Sequence, residues 1–329
     1  MKHNRLISII MSTYNESELE IKQSIESILK QTWQEFEFII VHDNPEDKVI
    51  ETLLYKYQET DNRIKIFQNK TNIGLARSMN FALEQSKGIY IARMDADDIS
   101  MPERLAKEVE YLEKYSFDMV GAIKIDISET GEELGRQKKY LEKCDIKELL
   151  PYMDVIVHPS VLIRRKVLED LGGYRNFPSA QDYDLWLRML TAGYKIGVLD
   201  EYLIYYRIRQ SSISLKNRYR QFLMAEYAKR LYRERKQKNG KDSFSEKSMK
   251  SYLEKKCTRR KKERFDKACV CFEKGMKKFK CGQRLKGGGC ILKAIMMSKS
   301  YADNFFSSLK YCLKKNQLLK KEKNRVAGG

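Results

Sequence analysis

Tyr90-Ile-Ala-Arg-Met-Asp-Ala-Asp-Asp98 decides the fold: it is a short apolar run that ends in a cluster of carboxylates. Three similar runs precede it, at residues 6–11, 36–41 and 64–67, and segments with helical spacing of apolar residues lie between them. Strands that alternate with helices at this pitch predict a parallel sheet with helical crossovers, an α/β fold.

Polar segments follow three of these predicted strands directly. They are Thr13-Tyr14-Asn15-Glu16, His42-Asp43-Asn44 and Asp95-Ala96-Asp97-Asp98. In parallel sheets, ligands bind beyond the carboxyl ends of the strands. The three segments are therefore expected to meet at one edge of the sheet and to form a ligand site there.

The carboxylates of the third segment suit a divalent cation. Two carboxylates spaced two residues apart on a loop after a strand can both reach one Mg²⁺ or Mn²⁺, and these ions often share their ligand shell with substrate phosphates. The alternative is a solvated turn in which Asp98 or Ser100 caps the next helix. The position of the cluster after a buried strand favours the metal site.

Five segments together resemble the inverting family 2 glycosyltransferases, which have the GT-A fold. They resemble in particular the bacterial enzymes that build capsular, exopolysaccharide or O-antigen chains. The segments are Ser8-Ile-Ile-Met-Ser-Thr-Tyr-Asn-Glu16, Asn72-Ile-Gly-Leu-Ala-Arg77, Tyr90-Ile-Ala-Arg-Met-Asp-Ala-Asp-Asp-Ile-Ser-Met-Pro-Glu-Arg104, His158-Pro-Ser160 and Gln181-Asp-Tyr-Asp-Leu-Trp-Leu-Arg188. Each motif alone is common, but five in the order of the family are specific. The resemblance covers about residues 5–214.

The resemblance implies a nucleoside diphosphate sugar as the donor substrate, with uridine as the base that the family uses most often. It assigns nucleotide binding to Thr13, Tyr14, Glu16, Asp43, Asn72, Gly74, Arg77, Asp95 and Ala96. His42-Asp43 replaces the usual pair of aspartates, so one carboxylate is left at that position. Gly74 and Arg77 also have a simpler interpretation, as a turn glycine and a surface arginine.

Mn²⁺ or Mg²⁺ is the cofactor that the resemblance implies. Asp97 matches the direct ligand of the metal motif, and Asp95 matches the position nearer the ribose. No covalent nucleophile is required, because the acceptor hydroxyl itself attacks the sugar.

Asp182 matches the general base of the family, which removes the proton of the acceptor hydroxyl. Gln181 replaces the usual Glu before it. The alternatives are that Asp182 only faces a helix dipole and that Asp184 is the base. Four more residues match family positions near the acceptor or the diphosphate: His158, Trp186, Arg207 and Arg209. Trp186 would stack on a sugar or belong to the core, and Arg209 stands where the family often has His.

Charge divides the chain near residue 216. Residues 1–215 contain 29 Lys and Arg against 35 Asp and Glu, a net charge of −6, whereas residues 216–329 contain 35 against 10, a net charge of +25. We therefore expect a GT-A domain at 1–216 and a basic, mainly α-helical region at 217–329. Within the latter, Gly287-Gly288-Gly289 is expected to interrupt a helix.

The basic region predicts an anionic partner. Arg259-Arg-Lys-Lys262 and Lys277-Lys278 sit among apolar residues that would face a lipid leaflet: Tyr252, Leu253, Phe265, Phe272 and Phe279. No run of about 18 apolar residues is present, and the beginning of the sequence does not read as a signal peptide. We expect a cytoplasmic enzyme, peripheral at the inner face of the membrane, whose acceptor is a glycan or a polyprenyl-diphosphate-linked sugar.

Two other functions remain as alternatives. A sugar nucleotidyltransferase would need a glycine-rich, basic first loop, and Thr13-Tyr14-Asn15-Glu16 is neither. A catalytically inactive adaptor would bind membrane or nucleic acid through its tail, but Asp95, Asp97 and Asp182 are intact, and no nucleic-acid-binding motif is present. Nucleic acid is not expected as a partner.

Overall fold

The computed structural model describes residues 5–137, 146–209 and 217–327, with side chains described as far as residue 320. The chain divides into two compact units, one of residues 1–147 and 155–210 and one of residues 148–154 and 211–329. The predicted boundary at residue 216 lies outside the described residues.

One mixed sheet forms the centre of the first unit. Its described strands are β1 (Ile7–Thr13), β2 (Phe36–His42), β3 (Ile64–Gln68), β4 (Tyr90–Arg93), β5 (Ile99–Ser100), β6 (Met119–Ile127), β7 (Glu133–Arg136), β8 (Leu162–Arg164) and β9 (Ile196–Arg207). The described helices between residues 5 and 209 are α1 (Glu18–Leu29), α2 (Lys48–Thr60), α3 (Leu75–Gln85), α4 (Arg104–Lys114), α5 (Ile146–Leu149), α6 (Arg165–Leu171) and α7 (Gln181–Ala192), with a 3₁₀ turn at His158–Ser160.

The strand order in the sheet is β3-β2-β1-β4-β8-β6-β9-β5, and β7 pairs with β6. The first four strands along the chain pair in parallel, as predicted. The other half is mixed, because β8 runs antiparallel to β4 and β6, and β9 runs parallel to β6 but antiparallel to β5. Periodicity alone does not reveal this mixture.

The parallel strands form because their residues are buried on both faces of the sheet. All seven residues of β2 are buried, and β1 is buried except for Ser12. Strands covered by helices on both faces read as continuous apolar runs. This explains why the sequence locates each of them to within about two residues.

A capping box fixes the beginning of α1. The Ser17 hydroxyl accepts a hydrogen bond from the Glu20 amide, and the Glu20 carboxylate accepts one from the Ser17 amide. The two side chains satisfy amides that a helix leaves unpaired at its first turn. The capping box also fixes the position of Glu20, whose carboxylate lies 3.5 Å from Arg209.

The second unit is helical in its described residues. Its helices are α8 (Arg218–Gln237), α9 (Glu246–Lys256), α10 (Arg259–Lys280), α11 (Arg284–Met297) and α12 (Lys299–Ala327). Its core contains Tyr219, Leu223, Phe265, Ala268, Ala294 and Tyr301. The six described cysteines are free thiols. No helix among the described residues is long and apolar enough to cross a membrane.

The predicted break at Gly287-Gly288-Gly289 is wrong, because α11 continues through all three glycines. A Cβ atom on Gly287 would lie 2.9 Å from the Gly275 carbonyl oxygen of α10 and 2.6 Å from Phe279. Glycine at this position lets the two helices cross at close range. The conformational freedom of glycine is outweighed here by helix packing.

Candidate active site

The acidic cluster lies directly after β4, at the carboxyl end of the parallel strands. Carboxylate oxygens of Asp95, Asp97 and Asp98 come within 4.8 Å of one another. The Ser24 hydroxyl on α1 donates a 2.9 Å hydrogen bond to the Asp95 carbonyl, which ties the loop to the first helix. Arg93, the last residue of β4, is fully buried and pairs with the Asp95 carboxylate.

The pKa of Asp97 is raised far above the ordinary value of an aspartate. Burial raises the pKa of its carboxyl to about 7, and the charge of Asp95 adds to the rise, while Arg209 opposes it. A carboxyl with this pKa exchanges its proton near neutral pH, so a nearby cation decides how far it is ionised.

Arg209 brings its guanidinium into the middle of three carboxylates. Its Nη2 atom lies 2.8 Å from Oδ2 of Asp97 and 3.7 Å from Oε1 of Glu16. Its Nη1 atom lies 3.5 Å from Oε2 of Glu20. The side chain is 15% exposed, so these interactions are only partly screened by water.

Arg207 has a different position from Arg209, two residues away. Its guanidinium donates hydrogen bonds to the carbonyls of Asp97, Ser128 and Glu129 and to the side chain of Gln23. Its amide donates a 2.8 Å hydrogen bond to Asp98. Arg207 therefore holds the loop of the acidic cluster against neighbouring elements.

Asp98 is the buried member of the acidic cluster. Its carboxyl is fully buried, and burial raises its pKa well above the ordinary value, with the charges of Asp97 and Asp95 adding to the rise. Its Oδ2 atom has no hydrogen-bond partner among the described residues. A protonated carboxyl at this position is consistent with its burial.

The carboxylate set fits a divalent cation. Its donors are oxygens close enough to share one ion, as Mg²⁺ and Mn²⁺ require. Asp97 and Asp95 are the residues that would hold the ion. Arg209 and Arg93 pair with these same two carboxylates in the structure.

Asp43 lies at the end of β2 and holds the loop that leads into α3. Its Oδ1 atom accepts hydrogen bonds from Asn69 and the Ile73 amide, and its Oδ2 atom accepts one from the Gly74 amide. Gly74 has a φ of 85°, which favours glycine, and it caps α3. Asp43 and Gly74 thus belong to one hydrogen-bonded turn.

The other predicted nucleotide residues differ in how far they are exposed to solvent. Thr13 is buried, and its hydroxyl hydrogen-bonds Nδ1 of His42 at 2.8 Å. Tyr14 is exposed, and its amide donates to Glu16. Asn72 and Arg77 are exposed, and Ala96 is buried. Burial raises the pKa of Glu16.

Asp182 lies in the first turn of α7, with 21% of its side chain exposed. Its Oδ1 atom accepts a hydrogen bond from the Tyr183 amide, and its Oδ2 atom is 3.9 Å from Nδ1 of His158. Burial raises the pKa of the Asp182 carboxyl, and the charge of Arg93 opposes the rise. These features suit a general base.

Aromatic residues support His158 beside Asp182. Burial and the charge of Arg93 hold the pKa of His158 well below its ordinary value, so the ring is neutral. Its Nε2 atom is 3.1 Å from the Tyr174 hydroxyl, and its ring meets that of Trp186 edge to face. Trp186 is fully buried, as is most of Gln181. In this structure Trp186 packs in the core.

Residues 8–172 match the glycosyl transferase family 2 domain, half of the chain. The chain belongs to glycosyl transferase family 2. The predicted family and the predicted enzyme class are confirmed. An uncharacterised glycosyltransferase of Methanocaldococcus jannaschii is 40% identical over 207 residues, which cover 62% of this chain and 71% of that protein. The O-antigen biosynthesis glycosyltransferase WbnJ of Escherichia coli is 36% identical over 210 residues, 63% of this chain and 81% of that protein.

Solved structures share the fold of this family 2 glycosyltransferase. S. aureus TarS in complex with UDP-GlcNAc aligns with a TM-score of 0.59 and 20% identity, over 97% of this chain and 91% of that chain. The Pyrobaculum calidifontis mannosyltransferase PcManGT, in complex with GDP-Man and Mn²⁺, aligns with a TM-score of 0.56 and 13% identity, over 98% of this chain and 80% of that chain. The predicted GT-A fold with a helical C-terminal region is confirmed.

Sequence reasoning missed three residues of this glycosyltransferase site. Arg93 is buried between the acidic cluster and the neighbourhood of Asp182, and its signal was an arginine inside an otherwise apolar strand. The sequence around Glu20 has the pattern of a capping box and gives no sign that this carboxylate also faces Arg209. Tyr174 carries no motif, and only the fold brings it to His158.

Proposed function

We propose that this chain is an inverting glycosyltransferase that moves a sugar from a UDP-sugar to a glycan or lipid-linked acceptor in surface polysaccharide synthesis. The observation that carries the proposal is the position of Arg93. It pairs with Asp95 of the acidic cluster, and its charge acts on the pKa of Asp182. Asp182 is suited to be the base, and the acidic cluster is suited to the metal ion of a donor diphosphate. The buried guanidinium of Arg93 thus acts on both.

In the proposed reaction, Asp182 takes the proton of the acceptor hydroxyl while that oxygen attacks the anomeric carbon. The bond from the anomeric carbon to the diphosphate oxygen breaks on the opposite face, so the configuration inverts. Burial supports this role of Asp182, because a carboxylate with a raised pKa is a stronger base. His158, which is neutral, lies beside Asp182 with its Nδ1 atom 3.9 Å from Oδ2, a distance too long for a hydrogen bond.

The leaving group is a nucleoside diphosphate, on which negative charge develops. A divalent ion, Mn²⁺ or Mg²⁺, bound by Asp97 and Asp95 would supply charge neutralisation there. The Mn²⁺ and GDP-Man in the PcManGT structure and the UDP-GlcNAc in the TarS structure support a metal and a nucleotide sugar. Arg209 is a further cation for the diphosphate, since its guanidinium matches phosphate geometry.

The names of related proteins support the biological setting. WbnJ of E. coli is an O-antigen biosynthesis enzyme, and AmsE of Erwinia amylovora, 29% identical over 216 residues, is named for amylovoran biosynthesis. We place the protein in the cytoplasm, peripheral at an anionic membrane, with a basic helical region at 217–329 as the membrane-binding part. The net charge of +25 over residues 216–329 supports this part of the proposal.

The adaptor alternative is not favoured, because Asp95, Asp97 and Asp182 are all present. Asp95 and Asp97 belong to one carboxylate cluster, and the charges of Arg93 and Asp95 act on the pKa of Asp182. The nucleotidyltransferase alternative is not favoured either, because the loop after β1 is acidic and has no glycine. Neither function is supported by a specific contact among the described residues.

Nucleotide release tests the proposal directly. The protein is incubated with Mn²⁺, a panel of nucleotide sugars and a lipid-linked or glycan acceptor. Release of UDP from at least one UDP-sugar supports the proposal, whereas no release and no metal-dependent nucleotide binding would refute it. Asp182→Asn is expected to keep UDP binding and to lower transfer by about 10²–10⁴-fold. Asp170→Asn, on the exposed side of α6, is the matched control and should transfer normally.

A further inference from the structure

The helix α11 has one face that is packed and an opposite face that is open. Gly287 and Ala294 are buried and seven residues apart, and they mark the face that packs against α10. At about 100° per residue they lie on the same side of the helix. The opposite side of α11 therefore faces away from the core of the second unit.

That opposite side carries three large apolar side chains. Leu285 is 94% exposed, Leu292 is 60% exposed and Met296 is 79% exposed. Their spacing of seven and four residues places them on one stripe along the helix. We call Leu285, Leu292 and Met296 the apolar stripe.

The sequence around the stripe has one sign of charge. Residues 274–302 contain eight Lys or Arg and no Asp or Glu. Lys286 and Lys293 flank the stripe on one side of α11, and Arg284 flanks it on the other. An apolar stripe bordered by cations is the arrangement of helices that lie in the interface of an anionic bilayer.

We infer that the apolar stripe of α11 enters the headgroup region of an anionic membrane, with the flanking cations on the lipid phosphates. The inference rests on the proposed membrane binding of the basic region and assigns it to a face. The apolar stripe also takes the place of the residues that the sequence analysis expected to face the lipid. Phe265 is buried in the core, and Tyr252, Leu253 and Phe272 pack against it, so these four serve the interior of the second unit.

Other occupants of the stripe fit these observations less well. A second copy of the chain would bring two stretches of eight cations together, and residues 274–302 offer no carboxylate to balance them. Nucleic acid would use the cations but would leave Leu285, Leu292 and Met296 in water. An anionic bilayer satisfies both the charge and the apolar surface.

Sedimentation with vesicles tests the inference on the full chain. The vesicles are of phosphatidylcholine with 30% phosphatidylglycerol or of phosphatidylcholine alone. The variant Leu285→Gln/Leu292→Gln keeps the net charge and uses a residue with good helix propensity. Leu19→Gln/Leu134→Gln is the matched control, since these leucines of the first unit are 61% and 59% exposed. Thermal unfolding confirms that all three proteins are folded.

The wild type and the control are expected to bind the anionic vesicles, and the Leu285→Gln/Leu292→Gln variant is expected to bind at least about tenfold more weakly. If wild type binds and the variant binds equally well, the stripe does not enter lipid and the inference is wrong. If wild type does not bind, the proposed membrane association also fails, while nucleotide release still tests the enzyme. A variant that changes only the oligomeric state would assign the stripe to a second copy and overturn the inference.

Discussion

Nη2 of Arg209 lies 2.8 Å from Oδ2 of Asp97, so a side chain that follows β9 pairs with the acidic cluster that follows β4. The same guanidinium faces Glu16, in the loop between β1 and α1, and Glu20, in the first turn of α1. Asp97 is also the residue that would hold a divalent ion. A divalent ion bound at Asp97 would therefore compete with the guanidinium of Arg209 for one carboxylate.

Replacing Arg209 with Gln is expected to tighten Mn²⁺ binding to the nucleotide-free protein by about tenfold or more. The substitution removes a positive charge close to three carboxylates, and a change of ~1.4 kcal/mol already gives a factor of ten. The loss of Arg209 also raises the pKa of Asp97, which is about 7 in the wild type, so the Kd is measured at increasing pH and compared where it no longer changes with pH in either protein. Mn²⁺ titration followed by electron paramagnetic resonance gives the Kd.

Arg136→Gln serves as the control for this titration, because Arg136 is exposed and its described partners, Glu133 and the ring of Tyr202, do not belong to the acidic cluster. Its Kd should equal that of the wild type. If Arg209→Gln binds Mn²⁺ no more tightly than the wild type, Arg209 does not compete with the ion at Asp97.

The pH dependence of transfer is expected to have an acid limb that belongs to Asp182. The base works as a carboxylate, so kcat/KM falls as the pH drops through its pKa, and burial places that pKa above the ordinary value of 3.8. His158 is neutral, since its pKa is well below 6.5, and adds no limb near neutral pH. His158→Asn should therefore keep the limb at the same pH.

Asp97 also titrates near neutral pH, and the metal concentration separates the two carboxyls. A limb that comes from Asp97 moves to lower pH as Mn²⁺ is raised, because the ion competes with the proton. A limb that comes from Asp182 does not move. Loss of the limb in His158→Asn would mean that His158 is the group that titrates.

The parallel half of the fold was predictable because its buried strands are visible in the sequence as apolar runs. The runs that become β1, β2 and β4 are buried almost throughout, and each is followed by a polar segment at the same edge. The acidic cluster could be located for the same reason. Its chemistry depends on the sequence immediately after one strand.

The environment of Asp97 could not be predicted in the same way. Arg209 reaches Glu16 and Glu20 only because β9 pairs with β5 and β6, and no periodicity in the sequence shows that pairing. Arg207 matched a position near the diphosphate, yet its donors meet backbone carbonyls, which have no sequence signature. Long-range contacts of this kind follow from the tertiary fold.

Arg207→Met is expected to lower the free energy of unfolding by about 2–4 kcal/mol. The substitution keeps much of the volume but leaves the carbonyls of Asp97, Ser128 and Glu129 without their donor in a buried region. Urea unfolding followed by circular dichroism measures the change. Arg136→Met, at an arginine whose side chain is 56% exposed, should stay within about 0.5 kcal/mol of the wild type. Equal stability of both variants would mean that Arg207 does not hold the loop.

Gly287→Ala and Gly288→Ala are expected to change the stability of the second unit in opposite directions. Both residues lie inside α11, where alanine gains about 0.8–1 kcal/mol over glycine from helix propensity. A Cβ atom on Gly288 meets no atom within 4 Å, so Gly288→Ala should be stabilising. On Gly287 it would press on Phe279 and on the Gly275 carbonyl, and the forced separation of α10 and α11 should destabilise by about 1–3 kcal/mol. Urea unfolding of the two variants compares them directly. If Gly287→Ala is as stabilising as Gly288→Ala, the helices do not cross as closely as described, and the three glycines are exposed positions of an ordinary helix.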